Sequence, residues 1–145
     1  MTIGSGQQRE ERAGRATRMR PRPIAHSLAA MLLTAGAGMA VRFGHMGLPA
    51  AVVKYGGSAA WALMIYWVVS TAAARWRPGR AGLLAAAIAA GVEFFKLYRS
   101  PAVDAFRGTL PGILLLGRYF SLRDIAAYWV AIAAGAWADG RLRRR

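Results

Sequence analysis

Glu93, Lys96, Tyr98, Asp104, Arg107, Asp124 and Tyr128 are the side chains whose types and spacing could do chemistry. Carboxylates, cations and phenols gathered in one place can neutralise one another, hold a polar headgroup or pass a proton. The first of them stands in an apolar setting, because Glu93 directly follows the run AGLLAAAIAAGV. A charge on a helix at bilayer depth costs a few kcal/mol or more unless it is paired or reaches water. Two partners are open to Glu93. Lys96 lies one turn later on the same helix face, and Arg107 lies across the following connector. In the second arrangement Glu93, Arg107 and Asp124 close into one polar cluster, with Tyr128 one turn beyond Asp124 and Tyr98 capping it from the preceding helix.

The plainer reading is that the cations reach the headgroup region along their own stems and pin the connector at the interface. It suits Lys96, Arg99, Arg118 and Arg123. It suits Glu93 less well, because a short carboxylate cannot reach far, and this makes Glu93 the centre of the candidate site.

The elements that must position these residues are apolar helices. Ile24 to Val41 is an uncharged run of 18 residues, long enough for about 27 Å at 1.5 Å per residue. Its basic approach and small-residue ending also resemble a signal peptide. Tyr55 to Ala74 is a second uncharged run of 20 residues containing Trp61, Tyr66 and Trp67. Gly44, Gly47 and Pro49 mark a turn before it, and RWRPGR reverses the chain after it. A third run extends from Ala81 to Tyr98, which sets Glu93 about 18 Å along the helix and past the middle of a core about 30 Å thick. The stretch TLPGILLLGRYF is too short to cross and suits an interfacial or re-entrant segment. A last run, Ile125 to Ala138, needs extension back to Phe120 to cross, which draws Arg123 and Asp124 into the membrane edge.

The chain of 145 residues is 56% hydrophobic yet carries a formal charge of +14. The two are compatible because the charges are segregated. Arg supplies 18 of the 20 basic residues, and these flank the apolar runs. With four helices and both termini in the cytoplasm, 13 Lys and Arg fall inside and seven outside, the bias expected of a membrane protein. Residues 1–23 read as a disordered basic tail, with Met19 as an alternative start. The absence of Cys excludes disulfides, thiolate zinc sites and a cysteine nucleophile. His26 and His45 each stand alone, so a histidine metal site is not expected, and no phosphate-binding glycine loop or nucleophile elbow is present. The Trp residues suit packing or interface belts, and Gly36, Gly38, Gly56, Gly57, Gly91 and Gly135 suit close helix approach. Topology accounts for the basic tails without nucleic acid.

The carboxyl-terminal half, EFFKLYRSPAVDAFRGTLPGILLLGRYFSLRDIAAYWVAIAAGAWAD, resembles the domain of unknown function 2809 family of small bacterial membrane proteins. LPAAVVKYGGSAAWALMIYW is similar to that family's second helix, so the resemblance covers roughly residues 42 to 139. It implies Glu93, Tyr98, Pro101, Asp104, Arg107, Thr109, Gly117, Phe120, Asp124, Tyr128 and Gly135 as signature positions. Two positions depart from the pattern. Lys96 stands where a Gln is usual, and Ser58 where an acid is common. Lys96 can thus replace an amide contact with an ion pair inside the helix. A more distant similarity runs to the VanZ-like proteins, although Tyr128 stands where their pattern has Asn.

The resulting expectation is an all-α, four-helix transmembrane bundle over residues 24–139, with a short interfacial or re-entrant segment between the third and fourth helices. Basic cytoplasmic tails flank it at 1–23 and 140–145. The expected role is a non-enzymatic structural or lipid-interacting component of a bacterial cytoplasmic membrane. The alternative is lipid-headgroup handling or proton-coupled transport through Glu93, Arg107 and Asp124. The expected partners are membrane lipids, anionic headgroups included, with no cofactor and no metal.

Overall fold

The computed structural model describes residues 24–44, 47–117 and 119–143. The expected basic tail at 1–23, His45, Arg118 and the last two arginines lie outside the described residues. Among the described residues the chain is all-helical. Six helices follow in order: α1 (Ile24–Phe43), α2 (Ala50–Ala72), α3 (Pro78–Phe95), α4 (Pro101–Arg107), α5 (Leu110–Leu115) and α6 (Leu122–Leu142).

Three of them, α1, α2 and α3, are long and apolar enough to cross a membrane. This is one fewer than the four expected to cross. The last helix has 21 residues, sufficient for about 31 Å, but Arg123, Asp124, Asp139 and Arg141 lie within it and lower its mean hydropathy. The physical reason is its position. α6 packs against both α2 and α3, and its buried stripe runs Asp124, Ile125, Tyr128, Ala131, Ile132, Gly135 and Asp139. Those three- and four-residue steps put one face inward. An acid is buried at each end of that face.

The opposing faces are built to approach closely. On α3 the buried positions are small, with Ala81, Gly82, Ala85 and Ala89 leading to Glu93. On α2 they are Ala62, Tyr66, Trp67, Val69 and Ser70. In hydrocarbon, helices gain little from hiding apolar surface, and small residues let backbones pack by dispersion. Gly135 shows the tolerance, because a Cβ there would lie 2.6 Å from Leu63 Cδ2. Among the described helices α1 packs on α2 alone, and nearly all of its surface remains outward.

The connector between α3 and α6 is more ordered than its sequence suggests. Ser100 and Thr109 cap two short helices, accepting from the Val103 and Gly112 amides at 3.3 and 3.2 Å. Pro101 and Pro111 occupy their first turns, where a missing N–H is harmless. The segment expected at 109–120 is thus one short helix, Leu110–Leu115, preceded by another.

Candidate functional site

The seven sequence-selected residues divide into two groups. Glu93 is fully buried in the last turn of α3, because the helix begins at Pro78 and ends at Phe95. That places it near the helix end rather than past the middle of the span. Its Oε2 accepts from Lys96 Nζ and from the Tyr128 hydroxyl at 3.0 Å. Its Oε1 accepts from the Ser121 backbone amide at 2.6 Å. One donor comes from α3's own end and two from α6, so the carboxylate joins the exit of one helix to the entry of the other. Ser121 is also the N-cap of α6 and accepts from the Asp124 amide at 3.3 Å. The carboxylate therefore binds an amide at the positive end of that helix.

Lys96 is buried with Glu93, and Gly117 makes room for it. Gly117 has φ +69°, and a Cβ there would lie 3.1 Å from both Cε and Nζ of Lys96. Asp124, one turn before Tyr128, is also buried, and its Oδ1 has no hydrogen-bond partner among the described residues. The Trp61 ring packs on Tyr128 with centroids 5.3 Å apart.

Tyr98, Asp104 and Arg107 form the other group. Arg107 is buried, donating to the carbonyls of Phe95 at 2.7 Å and Tyr98 at 2.9 Å and to Asp104 Oδ1 at 3.3 Å. Its guanidinium stands 5.4 Å from the Phe95 ring centroid. The expected joining of Glu93 to Arg107 is thus corrected. Arg107 takes carbonyls at and just beyond the end of α3, that of Phe95 shared with the Tyr98 amide, and Lys96 takes the carboxylate. Asp104 is shared with the exposed Arg99, 3.4 Å away. Tyr98 contributes its carbonyl, while its ring stacks on Phe95 at the surface.

A second buried polar cluster, not foreseen from sequence, lies at the opposite end of the α2–α6 interface. Asp139, fully buried, accepts from the Tyr66 hydroxyl at 2.7 Å, Ser70 Oγ at 3.2 Å and Arg143 Nε at 2.9 Å. Arg143 also donates to Ser70 and to the carbonyls of Ala74 and Trp76, which fixes the α2–α3 turn. The available signal was two i, i+4 polar pairs, Tyr66 with Ser70 inside the second apolar run and Asp139 with Arg143 just after the last. α6 therefore continues through residues expected in the carboxyl-terminal tail.

A cavity of about 800 Å3 opens beside the Glu93 group. Arg42, Lys54, Ser58, Lys96, Asp124 and Tyr128 supply its polar lining, and Leu114 and Leu116 of the connector lie on its apolar side. Its chemistry is mixed: cations near the mouth, a buried carboxylate inside, and an apolar wall.

A family model described as "Protein of unknown function (DUF2809)" matches residues 47–132. That range contains all seven sequence-selected residues and most of the cavity, but ends before Asp139. No solved structure matches the chain.

Proposed function

We propose, starting from a chain that belongs to the DUF2809 family, that it is a multi-pass integral protein of a bacterial cytoplasmic membrane. In this reading α6 crosses as a fourth span alongside the three apolar helices, and both termini are cytoplasmic. Its work is that of a non-enzymatic structural or lipid-interacting component. The observation that supports this most is the treatment of Glu93. A carboxylate holding Lys96, the Ser121 amide and the Tyr128 hydroxyl at once has three of its roughly four lone-pair sites engaged. It is better placed to fasten α3 to α6 than to exchange protons with a substrate. The lipid-handling alternative is favoured by a different observation, the cavity with the unpartnered Asp124 Oδ1. It thus involves Asp124 and the cavity rather than a Glu93–Arg107 pair.

The absence of cysteine permits a clean topology test. Arg77→Cys in the α2–α3 turn and Ala105→Cys on α4, both exposed, provide single labelling sites. In intact cells a membrane-impermeant maleimide should label position 105 and leave 77 unlabelled until the membrane is opened. Labelling of both from one side would remove the four-span arrangement, and release of the chain by alkaline carbonate would remove the integral assignment.

A further inference from the structure

Asp124 is more than nine-tenths buried and lines the cavity, and its carboxylate has one oxygen, Oδ1, closed to solvent and without a partner among the described residues. A buried acceptor of this kind is destabilising, the more so when charged, unless a donor reaches it. Lys96 on the same wall pairs with Glu93 and makes no hydrogen bond to Asp124 among the described residues. Arg42 and Lys54 line the cavity as exposed cations, and neither forms an ion pair among the described residues. Lys54 also lies near enough for its charge to act on Asp124. The cavity thus presents two cations for an anion and one carboxylate for a hydrogen-bond donor. Ile113, Leu114 and Leu116 add an apolar border.

We propose that this cavity binds the headgroup of a phospholipid whose phosphate is followed by a primary ammonium, as in an ethanolamine headgroup. Arg42 and Lys54 take the phosphate, Asp124 takes the ammonium, and the apolar border meets the start of the acyl chains. A phosphate alone leaves Asp124 unpaired, and a trimethylammonium has no N–H to give its carboxylate. Ser58 and Tyr128 complete the polar wall. The inference rests on the membrane assignment above and gives the lipid-interacting role a chemical class.

The test uses the full chain in detergent, exchanged against phosphatidylethanolamine, phosphatidylcholine and phosphatidylglycerol of identical acyl chains, with retained lipid read by native mass spectrometry. Ethanolamine lipid should be retained about tenfold over choline lipid, the size of one hydrogen bond to a charged group. Asp124→Ala, which leaves no acceptor, should reduce that preference to near unity, while Lys54→Met should weaken retention of all three lipids. Ser121 caps α6 through its own hydroxyl, so Asp124→Ala keeps the helix start, and an unchanged helical spectrum checks this. Glycerol lipid retained as well as ethanolamine lipid, or a preference surviving Asp124→Ala, overturns the proposal. Soluble phosphoethanolamine displacing the lipid at equal concentration also overturns it, by identifying a water-borne ligand. Membrane integration is read separately by the maleimide labelling, so a correctly inserted chain without lipid preference refutes this inference alone.

Discussion

Glu93 and Lys96 form a buried ion pair within the last turn of α3 and its cap, three residues apart, with the Ser121 amide and Tyr128 hydroxyl completing the carboxylate's shell. The pair solves a specific problem. Each charge alone would be costly at that depth, and together they are neutral and joined to α6.

Removal of one partner should therefore hurt more than removal of both. Lys96→Met leaves a buried carboxylate without its cation and should cost about 3–5 kcal/mol. Glu93→Gln with Lys96→Met removes both charges and should recover most of that loss. Thermal unfolding in a fixed detergent, arranged as a double-mutant cycle, measures the coupling. The exchange Glu93→Arg with Arg107→Glu should give no rescue, since Arg107 faces other groups.

Arg107 holds two carbonyls and one carboxylate in a fork that an ammonium cannot reproduce. Arg107→Lys should thus behave much like Arg107→Gln. Each lost bond from this charged donor is worth about 1.5–3 kcal/mol at most. The damage should be local, because among the described helices α4 packs only on α5. Amide exchange over residues 98–110 should accelerate in both variants, and exchange in α2 should stay slow. Equal protection in the Lys variant would show that charge alone suffices.

The apolar runs made the three span-length helices and their order legible, because two are uncharged over 18 or more residues and the third over the dozen before Glu93. Their boundaries moved for local reasons. α2 begins at Ala50 directly after Pro49, and α3 begins at Pro78, so prolines expected to mark turns also start helices. The Glu93, Asp124 and Tyr128 grouping was legible from depth and helical spacing. The partner of Glu93 was not, since Lys96 and Arg107 satisfy the same charge argument and only the path of the connector separates them. The Asp139 cluster escaped notice for a different reason. Asp139 stands beside the basic carboxyl-terminal residues and reads as solvated, until Arg143 is seen to return to Ala74 and Trp76.

That second cluster predicts a graded series. Tyr66→Phe removes one hydrogen bond to a carboxylate that keeps Arg143 and Ser70, and should cost about 1.5–3 kcal/mol. Asp139→Ala leaves the Arg143 guanidinium buried without its acid and should cost about 3–5 kcal/mol. Unfolding midpoints in one detergent rank the two. If Tyr66→Phe proves the more damaging, the acid is not what holds this end of α2 to α6.

Gly117 and Gly47 separate two effects that usually occur together. Both have positive φ, +69° and +63°, and both meet the same backbone penalty on substitution. At Gly47 an added Cβ meets nothing within 4 Å, whereas at Gly117 it presses on Lys96 Cε and Nζ at 3.1 Å. Gly47→Ala should cost about 1–2 kcal/mol from the left-handed backbone alone. Gly117→Ala should cost that amount plus whatever is lost when Lys96 moves against Glu93. The excess should vanish in a Lys96→Ala background, where nothing remains to be pressed. Unfolding of the four variants in one detergent measures it. Equal costs at the two glycines would mean that Lys96 keeps its ion pair without the space Gly117 provides.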